Sequence, residues 1–228
     1  GEEILVELLG AISGGQSPAT VKGIAFRENG ATVITGPRML IDDLDSLPMP
    51  AYDIAQMDMY GRSKYLFSPG GATIHHSRGC VSNCRFCAWW MQMADVGAGD
   101  DGELALRPRW RTKSVGRSVE EIDLLANKHG KKCLVFVDEF WNQDADWSDK
   151  FSEEMISRNM GVIWFAFMRA DAILRDEKIG VLEKIVKSGL VHVSIGVEHA
   201  DAEKLKTMGK GFYTKDATLE CFHLLRDK

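Results

Sequence analysis

Three cysteines lie close together in this chain: Cys80, Cys84 and Cys87 are separated by three and then by two residues. Thiolates are soft ligands, and several of them together are typical of a soft metal ion or an iron–sulfur cluster. A structural zinc site needs four ligands. The other two thiols stand apart in the sequence, because Cys133 begins an apolar run and Cys221 lies on the apolar face of a predicted helix. We expect both to be buried, so the triad favours a cluster with one open iron.

The sequence around the cysteines predicts a loop that leaves the carboxyl end of a strand. Residues 73–79 form a short β-like segment that ends at Gly79. Trp89 and Trp90 follow the last cysteine, and we expect them to shield the loop from water.

With Phe86 directly before the last cysteine, this spacing resembles the signature of radical S-adenosylmethionine (SAM) enzymes. The resemblance implies a 4Fe–4S cluster whose open iron chelates the amino and carboxylate groups of SAM. One-electron reduction of the sulfonium then gives a 5′-deoxyadenosyl radical, which removes hydrogen from an inert C–H bond. It also implies a contact between Phe86 and the bound cofactors, and a reductase partner such as flavodoxin or ferredoxin.

Two adjacent carboxylates follow the apolar run at 133–137, and burying them without partners would be costly. They are Asp138 and Glu139, and ligands of parallel βα folds gather at such strand ends. The resemblance places the SAM amino group here, although Asp-Glu replaces the glycines of the family's segment. The alternative is an acidic loop at the entry to a helix.

Arg169 follows the next apolar run, at 162–168. Its planar guanidinium suits a carboxylate. The resemblance implies that it binds the SAM carboxylate, and pairing with Asp171 or with Glu139 is an equally good interpretation.

The last predicted strand alternates, which places His192, Ser194, Gly196 and Glu198 on one face and apolar residues on the other. A polar face is typical of a ligand site, and a glycine there lets the backbone approach the ligand closely. The segment at 194–198 resembles the family's Ser-Ile-Gly-Val-Glu segment. The resemblance implies that Glu198 contacts the SAM ribose, with Ser194 and Gly196 beside it.

Other polar residues of the chain are weaker candidates. His75, His76 and His199 have side chains that titrate near neutrality, but we expect most of them to make ordinary hydrogen bonds at strand ends. A run of basic residues consists of Arg107, Arg109, Arg111 and Lys113. It could contact an anionic substrate or form a solvated loop, and we expect the solvated loop. No catalytic acid or base is assigned.

The bulk composition is that of a globular protein, with 228 residues, 45% hydrophobic and 27% charged residues and a net charge of −5. A negative net charge differs from the basic composition that is typical of nucleic-acid-binding proteins. No apolar run approaches the roughly 18 residues of a membrane span. The clustered cysteines fit a reducing compartment, so we expect a cytoplasmic protein.

The N-terminal part predicts a helix over residues 2–12, a hairpin turning at Asn29-Gly30, and an irregular segment around Pro48 and Pro50. This order resembles the linker of cobalamin-dependent radical SAM enzymes. The resemblance implies that residues 1–15 are the last helix of a cobalamin-binding domain outside this sequence. Residues 16–65 would then be the linker, and residues 66–228 the SAM barrel.

From Gly71 onward, strands and helices alternate, which predicts an α/β fold of parallel βα units. Four strands are too few for a closed eight-stranded barrel. We therefore expect a partial TIM-like barrel that is incomplete at its C-terminal end. Ser118 and Glu121 predict a capping box, and residues 177–187 predict one helix.

The function expected from these features is cobalamin-dependent methylation of an unactivated carbon or phosphorus in a small-molecule substrate. One alternative is a non-methylating ring closure, similar to that of the anaerobic magnesium-protoporphyrin monomethyl ester cyclase, because Asp138-Glu139 and the acidic segment at 175–177 resemble that group. An alternative from another class is a zinc or iron–sulfur binding module without catalysis.

Overall fold

The computed structural model describes residues 1–61, 70–99 and 103–228. The chain divides into two compact units, one of residues 1–41 with 95–106 and one of residues 42–94 with 107–228. The predicted boundary between linker and barrel, at residues 65 and 66, lies outside the described residues. Across the described ranges, no helix has both the length and the apolar character needed to cross a membrane.

The regular elements of the described residues are numbered in chain order. The strands are β1 (Ala25–Glu28), β2 (Ala31–Ile34), β3 (Gly71–Ile74), β4 (Ser77–Gly79), β5 (Asp95–Ala98), β6 (Leu104–Arg107), β7 (Trp110–Thr112), β8 (Cys133–Phe136), β9 (Ile163–Met168) and β10 (Leu190–Ile195). The helices are α1 (Glu2–Ser13), α2 (Ala88–Gln92), α3 (Val115–Asp123), α4 (Ala145–Ser157), α5 (Ala170–Lys178), α6 (Val181–Lys187), α7 (Ala202–Thr207) and α8 (Lys215–Arg226). Short 3-10 turns and a π-helical end of α3 complete the set.

The smaller unit contains α1 and two pairs of short strands, β1 with β2 and β5 with β6. The predicted hairpin is confirmed: Asn29 and Gly30 both have positive φ, at 50° and 82°, as a tight two-residue turn requires. Arg38 forms ion pairs with Glu3 and Glu7 of α1, at 2.8 Å and 2.6 Å.

The larger unit is built on a four-stranded parallel sheet in the order β10-β9-β8-β3. Helices α3, α4, α5 and α6 lie in the connections between these strands. Strands that are adjacent in the sheet follow one another along the chain, which is the arrangement of a (βα) barrel wall. The predicted α/β class of partial TIM-like barrel is confirmed.

The core of this unit lies beneath β8, whose four residues are all buried, as a strand covered on both faces should be. Phe136 of this strand contacts Trp164 edge to face, with ring centroids 5.4 Å apart, and Trp141 packs against Trp164 at 4.6 Å. Cys133 and Cys221 are buried as predicted, with 2% and 0% of their surfaces exposed.

The predicted capping box is wrong. Helix α3 begins earlier, and its N-cap is Ser114, whose Oγ accepts a hydrogen bond from the Arg117 amide. Ser118 lies inside the helix. Glu121 is buried and binds Lys113, with 2.6 Å between the Lys113 Nζ and the Glu121 Oε2, so its carboxylate is not at the helix start.

Two other element boundaries differ from the prediction. The single helix expected over 177–187 is replaced by α5 and α6, which are separated at Gly180 with a left-handed φ of 78°. The β-like segment at 73–79 is also two elements, because β3 joins the parallel sheet while β4 pairs antiparallel with β7.

The basic run is solvated only in its first part, because Arg107 is exposed and Arg109 is half-buried. Arg111 and Lys113 are buried, with 7% and 6% of their surfaces exposed. The ammonium of Lys113 also donates a hydrogen bond of 2.8 Å to the His75 carbonyl, which ties the end of β7 to the chain after β3.

Candidate functional site

A cavity of about 190 Å³ lies in the larger unit, where the cysteine loop meets the carboxyl ends of β8, β9 and β10. Nine of the residues that the sequence analysis assigns to a cofactor or metal line this cavity. They are Cys80, Cys84, Cys87, Phe86, Glu139, Arg169, Ser194, Gly196 and Glu198. The fold therefore brings one loop and three separate strand ends to a single site.

The cysteine loop, residues 80–87, presents three thiols that form no disulfide. Cys84 is buried, whereas Cys80 and Cys87 are half-buried. Burial raises the pKa of the Cys84 thiol, and the nearby Lys210 ammonium opposes that rise. The loop is held by a hydrogen bond of 2.9 Å from the Arg85 amide to the Met208 carbonyl.

The two tryptophans after the loop have different positions. Trp90 lines the cavity and donates a hydrogen bond of 3.0 Å from its indole nitrogen to the Cys84 carbonyl. Trp89 is 64% exposed. Trp90 therefore covers the cysteine loop, and Trp89 does not shield it from water.

The adjacent carboxylates at the end of β8 point to different environments. Glu139 lines the cavity, accepts a hydrogen bond of 3.2 Å from the Gly79 amide, and has its pKa raised by burial. Asp138 is 1% exposed and accepts hydrogen bonds from the His76 amide, the Ser77 amide and the Ser77 hydroxyl. Burial raises the pKa of Asp138 to about 6.

Asp138 does not line the cavity, so the structure places it apart from the other residues that are predicted to contact a cofactor or metal. Its Oδ1 accepts hydrogen bonds from the amides of His76 and Ser77, where the chain passes from β3 to β4. Successive side chains of an extended segment point in opposite directions, which explains why one carboxylate enters the core and its neighbour enters the cavity.

Arg169 lies at the cavity wall and is held on several sides. Its Nε and Nη2 donate to the two carboxylate oxygens of Asp171 at 2.9 Å and 2.5 Å, and its Nη1 donates to the Ser82 hydroxyl at 2.8 Å. Of the interpretations that the sequence left open, the structure contains the pair with Asp171.

The alternation predicted along the last strand agrees with the structure for most of its residues. Ser194, Gly196 and Glu198 line the cavity, while Val193 and Ile195 pack against the core. A Cβ on Gly196 would lie 2.7 Å from the Glu198 Oε1 and 2.9 Å from the Lys210 Nζ, so a side chain here would displace the ends of both residues from the cavity wall.

Two details at this strand end differ from a regular strand. Glu198 itself has a left-handed φ of 61°, an uncommon conformation for a residue other than glycine. His192 does not line the cavity, and its ring lies 5.0 Å from that of Phe165.

The segment between α7 and α8 contributes three cavity residues that the sequence analysis missed, namely Lys210, Phe212 and Tyr213. The Lys210 ammonium donates to the Gly196 carbonyl at 2.6 Å and to the Glu198 carboxylate at 2.9 Å. It is 8% exposed and lies 4.9 Å from the centre of the Tyr213 ring. The available signal was a lysine between two glycines, directly before two aromatic residues.

The donor set of the cavity fits a 4Fe–4S cluster. Three thiols from one short loop face a site that also holds carboxylates, cations and aromatic rings. Within the described ranges, no three His, Cys, Asp or Glu side chains converge as ligands of a single metal ion. A cubane has a different requirement, because its thiolates bind separate iron atoms.

Comparison with known proteins places the chain among radical SAM proteins. The family model of the radical SAM superfamily matches residues 74–228. An uncharacterised methyltransferase of Pyrococcus horikoshii is 30% identical over 92% of this chain and 41% of its own length. The anaerobic magnesium-protoporphyrin IX monomethyl ester cyclase of Rubrivivax gelatinosus is 30% identical over 100% of this chain and 38% of its own length.

A solved structure has the same fold. The radical SAM methyltransferase TsrM from Kitasatospora setae, solved with cobalamin and a 4Fe–4S cluster bound, matches with a TM-score of 0.69 and 19% identity, over 100% of this chain and 42% of its own. The chain thus spans about two fifths of the length of these relatives. Since the family model covers most of the chain, and since the cysteine loop lies in the matched part, this chain belongs to the radical SAM superfamily.

Proposed function

We propose that this protein reductively cleaves SAM at a 4Fe–4S cluster held by Cys80, Cys84 and Cys87, and that it uses the reaction for cobalamin-dependent methylation. The observation that carries the proposal is the shared cavity, in which the three thiols lie beside polar groups from the ends of β8, β9 and β10. When bound, the cluster would supply one electron to the sulfonium of SAM, whose bond from sulfur to the 5′ carbon would break to give methionine and a 5′-deoxyadenosyl radical.

The residues of this chain would bind and orient SAM. Glu139 offers a carboxylate to the amino group, and its half-buried position strengthens that contact. Glu198 offers a carboxylate to the ribose, and Lys210 holds that carboxylate in place while it also donates to the Gly196 carbonyl. Phe86 and Trp90 add apolar surface to the cavity wall.

Methylation is supported by the names of two similar proteins. The Pyrococcus horikoshii relative is described as a methyltransferase, and TsrM is a methyltransferase with cobalamin bound. Cobalamin would supply the methyl group and would be bound mainly outside these residues, since the relatives are more than twice as long. The acceptor would be an unactivated carbon or phosphorus of a small molecule, and a flavodoxin or ferredoxin would supply electrons.

Ring closure without methylation is the second candidate. It is favoured by the identity of 30% to the Rubrivivax gelatinosus cyclase, which extends over the whole of this chain. The two candidates share the cleavage of SAM and differ in the product.

The cleavage is tested by anaerobic reconstitution with iron and sulfide, followed by reduction and addition of SAM. We expect cluster absorbance and 5′-deoxyadenosine. Alanine variants of Cys80, Cys84 and Cys87 should lose both, while alanine variants of Cys133 and Cys221 serve as matched controls and should retain the cluster, because those thiols are buried away from the cavity.

Products separate the candidates in the full-length protein. S-adenosylhomocysteine with a methylated product supports methylation, whereas 5′-deoxyadenosine with an unmethylated cyclised product supports ring closure. Stoichiometric zinc without cluster absorbance would contradict both and favour a binding module.

A further inference from the structure

Ser82 lies in the middle of the cysteine loop, between the first two thiols, and joins the loop to the rest of the cavity wall. Its amide donates a hydrogen bond to the Cys80 Sγ at 3.4 Å. Its hydroxyl accepts a hydrogen bond from the Arg169 Nη1 at 2.8 Å. One residue therefore contacts a thiol through its backbone and a guanidinium through its side chain.

Arg169 is held by an ion pair and by two aromatic rings. Asp171 takes its Nε and Nη2 in a two-pronged ion pair. The guanidinium carbon lies 3.7 Å from the centre of the Phe212 ring and 4.7 Å from that of Phe140. Cation–π contacts and bidentate pairing each restrict the orientation of a guanidinium, and the remaining nitrogen, Nη1, donates to Ser82.

We propose that Arg169, held by Asp171 and the two aromatic rings, is a positioning residue that fixes the cysteine loop through the Ser82 hydroxyl. The loop joins no strand between Cys80 and Cys87, so contacts such as this one must hold it. The proposal assigns Arg169 to the chain's own loop rather than to the carboxylate of SAM. The effect that this contact would have on the reduction potential of the cluster rests on the proposed function.

The consequence for the cluster follows from the Ser82 amide. Hydrogen bonds to the sulfur ligands help to set the reduction potential of an iron–sulfur cluster. When the hydroxyl loses its anchor, the amide no longer has a fixed distance from the Cys80 sulfur. We therefore expect the cluster potential to become more negative in variants that break the contact.

The first experiment measures amide hydrogen exchange of residues 80–87 in the protein without cluster. Ser82→Ala and Arg169→Gln should each raise the exchange rate about 10-fold, because a hydrogen bond to a charged group is lost. The double variant should show no more than either single variant. Ser82→Thr keeps the hydroxyl and should stay close to the parent. Arg158→Gln breaks the exposed pair with Glu154 on α4 and is the matched control.

The second experiment measures SAM affinity and the midpoint potential of the reconstituted cluster. The proposal expects Ser82→Ala and Arg169→Gln to shift the potential in the same direction. If Arg169→Gln weakens SAM binding while Ser82→Ala leaves affinity, potential and exchange unchanged, Arg169 is a direct ligand of SAM and the proposal is overturned. If Arg169→Gln does not fold, Ser82→Ala and Ser82→Thr still test the proposal: equal exchange rates in these two variants would overturn it. Failure of the parent to bind a cluster would contradict the proposed function, while the exchange data would still test whether Arg169 fixes the loop through Ser82.

Discussion

His76 is an imidazole enclosed by aromatic rings and hydrogen-bonding oxygens. It stacks on Trp147 with ring centroids 3.9 Å apart, and its Nε2 lies 3.1 Å from the Trp141 carbonyl oxygen. Its Nδ1 lies 3.1 Å from the Thr112 hydroxyl. A neutral imidazole has one donor and one acceptor and satisfies both contacts. Burial lowers the pKa of His76 to about 3, so this residue is a structural histidine rather than an acid or base.

The buried neutral state of His76 predicts a loss of stability on acidification. Between pH 6.5 and about 3 the unfolded state binds a proton that the folded state does not. The free energy of unfolding should therefore fall as the pH is lowered through this range, by up to about 1.4 kcal/mol per pH unit from this residue. His76→Phe keeps the stacking on Trp147 but cannot titrate, so its stability should depend less steeply on pH.

Urea unfolding of the parent and the variant between pH 7.5 and 4.5 measures this difference. Asp138, whose carboxylate lies 3.4 Å from the His76 Nε2, has a raised pKa and contributes a slope of opposite sign in both proteins. Comparison of the two slopes separates the effect of His76. Parallel slopes would show that folding does not lower the pKa of His76.

At the scale of elements, helix α3 shows how a cap decides where a helix begins. The Ser114 hydroxyl accepts from the Arg117 amide, and the Ser114 amide donates to the Asp45 carboxylate at 2.9 Å. Ser118 is one turn further on and donates to the Ser114 carbonyl. The first serine satisfies an unpaired amide of the helix start, whereas the second adds a bond to a carbonyl that the helix already uses.

Ser114→Ala should lower the free energy of unfolding by about 1 kcal/mol, the usual cost of removing an N-cap side chain. Ser118→Ala should cost clearly less, because it removes no cap. Chemical denaturation of the two variants measures the difference. A larger loss of stability in Ser118→Ala than in Ser114→Ala would indicate that Ser118 is the N-cap.

At the scale of the whole molecule, a buried ion pair joins distant parts of the larger unit. The Lys113 ammonium contacts Glu121 of α3 at 2.6 Å, and the other oxygen of that carboxylate accepts a hydrogen bond of 2.7 Å from the Tyr52 hydroxyl. Tyr52 belongs to the segment after Ile41, which groups with the larger unit. The network therefore connects this segment, the end of β7 and helix α3.

Breaking one side of this network should be costly. Lys113→Met leaves the Glu121 carboxylate buried without its cation, and we expect a loss of about 3–5 kcal/mol in the free energy of unfolding. The double variant with Glu121→Gln should recover part of that loss, since no buried charge remains. Denaturant unfolding of single and double variants tests this coupling. Additive losses would indicate that the two groups do not interact.

Several features followed from the sequence alone because they depend on neighbouring residues. The Asn29-Gly30 turn needs two adjacent positive φ angles, and the buried strand at Cys133–Phe136 is marked by its own apolar run. The cysteine spacing likewise defines the radical SAM loop within eight residues. The order of strands and helices then sets the fold class.

Only the tertiary structure decided which polar residues share the site. Asp138 and Glu139 are equivalent in the sequence, but Asp138 accepts a hydrogen bond from the hydroxyl of Ser77, 61 positions away. Arg169 donates a hydrogen bond to Ser82, 87 positions away. Lys210 donates to Glu198 from a segment that no strand pattern predicts. These partners depend on which chain segments the sheet brings together, and burial and hydrogen bonding then select among side chains that local sequence leaves equivalent.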